Sequence, residues 1–178
     1  LVLVTGGSRG ARAINEAILA VADDLTAQTG AQILLIAGRG NMEALQASQN
    51  SCVKVVEYVV GGMADLFAAA DLAVCRSGAS TVSELAVSGL PAILIPYPHS
   101  VTGDQAANAM SVASAGGALV LEQDQLRDRL GGLLGELLND RNRLARMAQA
   151  MRSCGRGDAA ETIARAILRI AGDPRPEE

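Results

Sequence analysis

Residues 1–10, LVLVTGGSRG, place four apolar residues directly before a glycine-rich loop. The segment Ala11–Gln28 that follows carries apolar residues at helical spacing, so the stretch predicts a strand, a tight turn and a helix. Glycine lets a backbone approach a ligand closely, and free N–H groups at the start of a helix favour phosphate oxygens. The loop Thr5–Gly10 is therefore either a phosphate-binding turn or a tight turn without a ligand.

The alternation of short apolar runs with helical segments continues through the first two thirds of the chain. Strands are predicted at Leu1–Val4, Gln32–Ala37, Val53–Val59, Leu72–Cys75, Ala92–Ile95 and Ala118–Leu121. Helices are predicted between them at Ala11–Gln28, Met42–Ala47, Met63–Ala69, Thr81–Ser88 and Asp104–Ala115. Strands that alternate with helices form parallel sheets through right-handed crossovers, and unbroken apolar strands are buried on both faces. The predicted fold class is α/β, with a Rossmann-like doubly wound parallel sheet.

The last third of the chain changes character, because no strand separates its helices. Amphipathic helices are predicted at Gln125–Leu138, Arg141–Met151 and Asp158–Ile170. Residues 158–161, DAAE, match a capping box at the start of the last helix. No linker or internal repeat interrupts residues 1–170, so we expect one domain there, followed by a disordered tail over residues 171–178.

Composition limits the partners and the compartment of the protein. The chain has 178 residues, a net charge of -4 and only 2% aromatic residues, and its basic residues are scattered among acids. Nucleic acid is therefore not an expected partner. No apolar run approaches the roughly 18 residues that a transmembrane helix needs. Cys52, Cys75 and Cys154 form no paired or metal-binding motif, which predicts reduced thiols in a cytoplasmic protein. The chain starts in a strand at Leu1 without an initiator methionine, so we expect a further domain upstream.

An NAD(P)-dependent short-chain dehydrogenase is the main alternative for a protein with this first loop. The dinucleotide fingerprint requires a third glycine where this chain has Arg12. Members of that dehydrogenase family share a catalytic tyrosine that is followed four residues later by a lysine. Neither Tyr58 nor Tyr97 is followed by a lysine at that offset, and Lys54 is the only lysine of the chain. The missing third glycine and the missing tyrosine–lysine pair exclude a dehydrogenase of this family.

A second loop, CRSGASTVSE at residues 75–84, also joins a predicted strand to a helix. Residues 77–79 would give a second set of N–H donors, and both loops lie at the carboxyl ends of strands, where doubly wound sheets bind ligands. Glu84 could accept hydrogen bonds from both hydroxyls of a ribose. Thr81 and Glu84 also match a capping box, in which the acid bonds only the backbone, and the local sequence leaves both roles open.

Six motifs occur in the order and approximate spacing of the MurG family. They are Thr5–Arg12, Glu57–Val59, Cys75–Glu84, Gly89–Pro91, Pro96–His99 and Gln105–Ala109. The chain thus resembles the C-terminal half of MurG proteins, which transfer N-acetylglucosamine from its UDP derivative to a lipid-linked muramyl-pentapeptide in peptidoglycan synthesis. The resemblance implies a GT-B glycosyltransferase of two Rossmann-like domains, with inverting chemistry, in which this half holds UDP-N-acetylglucosamine. The missing N-terminal domain would bind the acceptor and attach the cytoplasmic enzyme peripherally to the inner face of the plasma membrane.

The resemblance also implies a set of substrate-binding residues. Gly6, Gly7 and Ser8 would face the diphosphate or the sugar. The backbone near Val59 would meet the uracil edge, and Glu84 would hold the ribose. The phosphates would be lined by the start of the second helix, Ser77, Gly78, Ala79, Ser80, Thr81, Val82 and Ser83. Gln105, together with Asp104, would bond hydroxyls of the sugar, whereas Asn108 would be structural.

No catalytic base, metal ligand or cofactor is expected in this half. His99, the only histidine, is either a loop or substrate-contact residue or a base, and in the resembling family the base belongs to the missing domain. No D-x-D-like acidic pair lies near either loop. We therefore expect a metal-independent site in which loop N–H groups and helix dipoles stabilise the departing diphosphate.

Two positions depart from the MurG pattern, and two other functions stay open. Val60–Gly62 stands where MurG proteins usually carry an acidic pair, so the uracil contact falls on Val59 or on a neighbour. Asp104 stands where they often have glutamine or histidine. The alternative functions are another UDP-sugar enzyme of the same fold, such as a glycolipid glycosyltransferase or an epimerase, and a non-catalytic nucleotide-binding module.

Overall fold

The computed structural model describes residues 1–45, 52–100 and 103–171, which form one six-stranded parallel sheet with helices on both faces. The strands are β1 (Val2–Thr5), β2 (Ile33–Ile36), β3 (Val53–Val56), β4 (Leu72–Cys75), β5 (Ala92–Leu94) and β6 (Ala118–Val120). The helices are α1 (Arg12–Thr29), α2 (Met42–Leu45), α3 (Met63–Ala69), α4 (Ala79–Ser88), α5 (Asp104–Ala113), α6 (Leu126–Asn139), α7 (Arg141–Ser153) and α8 (Ala159–Ile170). A short 3-10 helix, Gln123–Gln125, precedes α6. Every predicted strand and helix is confirmed, although the predicted end of α2 at Ala47 lies outside the described residues.

The order of the strands places two loops side by side at the centre of the sheet. The order is β3-β2-β1-β4-β5-β6, and β1 pairs in parallel with both β2 and β4. The chain first winds outward from β1 to β3 and then returns to β4 on the other side of β1. This reversal is the switch point at which doubly wound sheets bind ligands. The loops after β1 and β4 are therefore neighbours at the carboxyl edge.

The sheet is buried on both faces, and its side chains alternate between two apolar clusters. In β1, Val2 and Val4 join a cluster that includes Leu130 of α6, whereas Leu3 joins a cluster that includes Leu85 of α4. All three strand residues are completely buried. This alternation follows from the two-residue period of a strand, and it explains why the strands are continuous apolar runs.

Local backbone chemistry fixes the ends of several helices. Helices α1 and α4 end at Gly30 and Gly89, both in the left-handed conformation that glycine adopts without steric cost. Helix α7 begins after Asp140, whose Oδ1 accepts a 2.8 Å hydrogen bond from the N–H of Arg143. The capping box predicted at Asp158 is wrong. Asp158 has φ -91° and ψ 6°, rather than the extended backbone of most N-cap residues, and its side chain forms no cap hydrogen bond.

The strand predicted at Val53–Val59 was too long, because β3 ends at Val56. Strand β3 lies at an edge of the sheet and pairs only with β2, whose last paired residue is Ile36. The β2 chain then turns at Gly38, where φ is 87°. The last backbone hydrogen bond between the two chains runs from the N–H of Gly38 to the carbonyl oxygen of Glu57, so Val59 lies in the loop that leads to α3.

Helix α8 differs from the other helices because all of its 12 residues are exposed. Its apolar residues nevertheless lie on one face, at the i, i+4 and i+7 positions Ile163, Ile167 and Ile170. No helix in the described part of the chain is long and apolar enough to cross a membrane. The tail predicted over residues 171–178 lies outside the described residues from position 172 onward.

Candidate functional site

A cleft of about 380 Å³ opens at the carboxyl edge of the sheet, beside the switch point. One wall is the loop after β1 and the start of α1, and the other consists of residues that follow β4, β5 and β6. The lining residues are Gly6, Gly10, Ala11, Arg12, Ala13, Arg76, Tyr97, Gln105 and Gln123. These include two arginines and no acidic residue, so the charged side chains of the lining favour an anionic ligand.

The glycines of the first loop are needed mainly for close packing of the backbone. A Cβ at Gly10, where φ is 72°, would lie 1.9 Å from the carbonyl oxygen of Ala37. A Cβ at Gly38 would lie 2.1 Å from the amide nitrogen of Gly10, so the loops after β1 and β2 touch through their glycines. A Cβ at Gly6 would lie 2.2 Å from the nitrogen of Ala11. The loop is thereby held against the sheet, with Gly6 lining the cleft.

Helices α1, α4 and α5, which follow β1, β4 and β5, begin at this edge without a side-chain cap. The N-cap residues of α1, α4 and α5 are Ala11, Gly78 and Gly103, and none of them forms a side-chain cap hydrogen bond. The N–H groups of a first helical turn have no partner within the helix. The first turn of α1, which contributes Arg12 and Ala13 to the lining, therefore offers N–H donors and the positive end of a helix dipole to an anion.

Arg76 carries the only half-buried guanidinium among the lining residues. It follows β4 and donates hydrogen bonds to the carbonyl oxygens of Ile95 and Pro96, at 3.2 and 3.1 Å, and to the side chain of Gln123. Burial lowers the pKa of the Arg76 guanidinium from its usual value. Among the described residues it forms no ion pair with a carboxylate. A positive charge without a protein counter-charge thus lies in the wall of the cleft.

The second glycine loop is tied to helix α5 by two reciprocal hydrogen bonds. Ser77 is fully buried, and its hydroxyl donates a 2.7 Å hydrogen bond to the carbonyl oxygen of Gln105. The side-chain amide of Asn108 donates a 3.2 Å hydrogen bond to the carbonyl oxygen of Ser77. The structural role predicted for Asn108 is confirmed. The Ser77 hydroxyl is a brace between two loops, and we do not assign it to a phosphate.

Gln105 holds the loop after β5 and keeps donors for a ligand. Its Oε1 accepts a 3.0 Å hydrogen bond from the backbone N–H of Tyr97. This bond uses the acceptor end of the amide and leaves the two N–H groups of Nε2 available. Because the half-buried Gln105 and the exposed Tyr97 both line the cleft, these donors are suitably placed for hydroxyl or phosphate oxygens.

Of the two roles left open for Glu84, the structure excludes the capping box. Helix α4 begins at Ala79, so Thr81 lies inside the first turn and is not the cap residue. The Glu84 side chain is exposed, on the same face of α4 as Ser80 and Ser83. No hydrogen bond or ion pair of this carboxylate occurs within the described part of the chain. Glu84 is therefore an exposed carboxylate in the middle of α4 that does not itself line the cleft.

Some of the other predicted site residues belong to the core, and others are exposed outside the cleft. Val82 is only 7% exposed, belongs to the core, and donates its N–H to the carbonyl of Gly78, so we leave it out of the proposed site. Val59 packs its side chain against the same core cluster. Gly7, Ser8 and Asp104 are exposed and do not line the cleft.

The lining residues that the sequence alone gave no role include Arg76, Tyr97 and Gln123. Arg76 belongs to the second loop motif, Tyr97 follows β5, and Gln123 lies in the short helix after β6. The bond between Arg76 and Gln123 joins residues that are 47 positions apart. No local sequence pattern predicts such a contact. An arginine directly after a buried strand at the ligand edge is nevertheless a signal from which Arg76 could have been selected.

Comparison with known proteins places this chain in a family. The model of the glycosyltransferase family 28 C-terminal domain matches residues 1–163. The chain belongs to this family. It is 43% identical over 173 residues to the UDP-N-acetylglucosamine–N-acetylmuramyl-(pentapeptide) pyrophosphoryl-undecaprenol N-acetylglucosamine transferase of Salinibacter ruber, covering 96% of this chain and 46% of that protein. The transferase of the same name from Shewanella woodyi is 38% identical over 177 residues, covering 96% of this chain and 48% of that protein.

A solved structure agrees with the sequence comparison. The crystal structure of MurG from Acinetobacter baumannii superposes with a TM-score of 0.78 at 30% identity, covering 94% of this chain and 49% of that one. This glycosyltransferase family 28 domain thus spans about half the length of the relatives it matches. The matched half includes both glycine loops and all the residues that line the cleft.

Proposed function

We propose that this chain is the donor-binding half of an inverting glycosyltransferase that moves N-acetylglucosamine from UDP-N-acetylglucosamine to a lipid-linked muramyl-pentapeptide in peptidoglycan synthesis. The observation that carries the proposal is the 43% identity, over nearly the whole chain, to a transferase with that name. The geometry of the cleft supports it independently, because a positively charged cleft at the switch point suits a nucleoside diphosphate.

In this proposal the diphosphate binds between the first glycine loop and Arg76. Gly6 and the N-terminal N–H groups of α1 donate to phosphate oxygens on one side, and the guanidinium of Arg76 supplies positive charge on the other. Negative charge grows on the β-phosphate as the bond to the sugar breaks and UDP departs. Donors that are fixed before the reaction stabilise that charge without further rearrangement. Arg76 is held by three neutral acceptors, so its position is set before the donor arrives.

The uridine and the sugar of the donor bind on opposite sides of this diphosphate site. Glu84 accepts from the ribose hydroxyls, with Ser80 and Ser83 on the same exposed face of α4. The backbone at Val59 meets the uracil edge from the loop after β3. At the other side, the Nε2 donors of Gln105 bond the hydroxyls of the N-acetylglucosamine, with Asp104 at the start of the same helix.

The remaining chemistry belongs to a second half of the protein. The relatives are about twice as long as this chain, and α8 carries an apolar face that no other described element covers. We assign the acceptor site, the catalytic base and the contact with the membrane surface to that second half. A lipid-linked acceptor would place the enzyme peripherally on the cytoplasmic face of the membrane.

Calorimetry with a short series of nucleotides tests the proposal. UDP and UDP-N-acetylglucosamine should bind saturably, whereas ADP, NAD and NADP should bind more weakly. Magnesium should change the affinities little, because the cleft supplies arginine charge instead of carboxylate ligands. NADP that binds more tightly than UDP would overturn the nucleotide assignment. Product formation by this chain alone, from UDP-N-acetylglucosamine and a lipid-linked acceptor, would overturn the assignment of the base to the second half.

A further inference from the structure

The two tyrosines of the chain are exposed at the same edge of the sheet. The chain contains two tyrosines, one phenylalanine and no tryptophan. Phe67 is buried, whereas Tyr58 and Tyr97 are 40% and 45% exposed. Tyr58 follows β3 and Tyr97 follows β5, so both lie where the strands end at the ligand edge. Exposed aromatic rings at a ligand edge are typical of binding sites, since an aromatic side chain offers a large contact area with little conformational freedom.

Tyr97 is held in one orientation from several directions. Its N–H donates to Gln105, and its carbonyl oxygen accepts a 3.2 Å hydrogen bond from the N–H of Ser100. The guanidinium carbon of Arg76 lies 5.3 Å from the centre of the ring. The ring of His99 stands at 82° to it, with the two centres 5.7 Å apart. Because these contacts are made within the protein, the ring loses little further freedom when a ligand binds.

The position of Tyr97 points to the sugar end of the donor. If the diphosphate lies over the loops after β1 and β4, a bound UDP-sugar must extend in both directions along the sheet edge. The ends of β3 and β5 are four strand spacings apart, or roughly 19 Å at about 4.8 Å per spacing. Tyr58 therefore stands on one side of the diphosphate and Tyr97 on the other. Only Tyr97 lines the cleft together with Gln105.

We propose that the ring of Tyr97, on the face opposite the Arg76 guanidinium, is the platform on which the pyranose ring of the donor sugar stacks. A pyranose presents a face of C–H groups with partial positive charge, and the face of an aromatic ring carries partial negative charge. The amide donors of Gln105, beside the ring, bond the hydroxyls at the rim of the sugar. This inference rests on the proposed function and adds the residue that recognises the apolar face of the hexose.

The test compares UDP with UDP-N-acetylglucosamine in four forms of the chain: wild type, Tyr97→Ala, Tyr97→Phe and Tyr58→Ala. Isothermal calorimetry gives both dissociation constants for each. Tyr97→Ala should weaken UDP-N-acetylglucosamine about three- to tenfold and leave UDP within about twofold, since an aromatic contact is worth about 0.5–1.5 kcal/mol. Tyr97→Phe keeps the ring and should behave as wild type. Tyr58→Ala is the matched control, because it removes the other exposed tyrosine and should leave the ratio of the two constants unchanged.

NMR of the bound sugar gives a second readout. Stacking on an aromatic ring shifts the pyranose C–H resonances upfield in the wild-type complex, and Tyr97→Ala should abolish that shift. Equal losses for UDP and UDP-N-acetylglucosamine in Tyr97→Ala would overturn the platform and place the ring under the uracil or the phosphates. Two dissociation constants that both stay at their wild-type values in Tyr97→Ala would also overturn it. A wild-type chain that binds neither ligand would overturn the proposed function itself, and the platform with it.

Discussion

The hydroxyl of Ser77 donates a 2.7 Å hydrogen bond to the carbonyl oxygen of Gln105, and so joins the loop after β4 to the helix after β5. Asn108, one turn along the same helix, donates back to the carbonyl of Ser77. The start of α4 and the start of α5 are therefore one connected unit. Since Gln105 also holds the backbone of Tyr97, the unit extends to the wall of the cleft.

Ser77→Ala should lower the free energy of unfolding by about 0.5–1.5 kcal/mol, because the fully buried Ser77 hydroxyl loses its hydrogen bond to the carbonyl oxygen of Gln105. Ser80→Ala is the matched control: Ser80 is three residues away and exposed, so its replacement should stay within about 0.5 kcal/mol of wild type. Urea denaturation of both variants measures the difference. If Ser77→Ala kept its stability and instead lost UDP affinity, the hydroxyl would be a ligand for phosphate and not a brace.

Two glycines of the first loop separate backbone strain from steric overlap. Gly7 and Gly10 both have a positive φ, of 88° and 72°. A Cβ at Gly7 would meet nothing within 4 Å, whereas a Cβ at Gly10 would lie 1.9 Å from a backbone oxygen. Gly7→Ala should therefore cost about 1–2 kcal/mol of stability. Gly10→Ala should cost more, roughly 2–5 kcal/mol, because the steric overlap adds to the backbone strain and the loops after β1 and β2 must separate. Thermal or urea unfolding measures both losses of stability. If the two variants lost the same stability, the backbone of Ala37 would be able to move away from the new Cβ at little cost.

The sequence could predict this fold because the deciding information is local. Apolar runs such as Val2–Val4, followed by glycine and then by helical spacing, mark each strand–turn–helix unit, and parallel pairing follows from their alternation. Local patterns failed where the outcome depended on a neighbour. Val56 ends β3 because its partner strand turns away, and Asp158 fails as a cap because its backbone is not extended.

The candidate site was predictable only in outline. Both glycine loops were located from the sequence, and the resemblance directed attention to Gln105 and Asn108. The bracing roles of Ser77 and Arg76 depend on residues from later strands and helices, which only the folded sheet brings near. The same applies to Thr81, whose pairing with Glu84 looks like a capping box until the helix is seen to start two residues earlier.

Arg76 offers a test of the diphosphate site. Arg76→Met should weaken UDP about ten- to a hundredfold, because hydrogen bonds to charged groups are worth about 1.5–3 kcal/mol. The affinity for uridine, which lacks phosphate, should change little in this variant. Arg76→Lys should recover only part of the UDP affinity, since an ammonium cannot reach the acceptors that fix the guanidinium.

Arg12→Met is the matched control for Arg76. Arg12 also lines the cleft, but its guanidinium already pairs with Glu16 at 2.6 Å and is exposed. Its removal should change UDP affinity less than the removal of Arg76. Calorimetry at two salt concentrations measures the affinities of both variants. If Arg76→Met lost affinity for uridine and for UDP equally, Arg76 would only support the loops.

Glu84 provides the sharpest test, because the structure removes the alternative that competed with ribose binding. Its carboxylate caps nothing and is exposed, so Glu84→Gln should leave the melting temperature nearly unchanged. UDP affinity should fall by about ten- to a hundredfold, since a neutral amide replaces a charged acceptor. The variant should also discriminate less between UDP and 2′-deoxy-UDP, which lacks one of the two hydroxyls. Glu122→Gln is the matched control: Glu122 is likewise an exposed acid, it follows β6, and it has no role in the proposed site. That substitution should leave both affinities within about twofold. A Glu84→Gln variant that binds UDP as the wild type does would remove Glu84 from the site and leave the ribose to other residues.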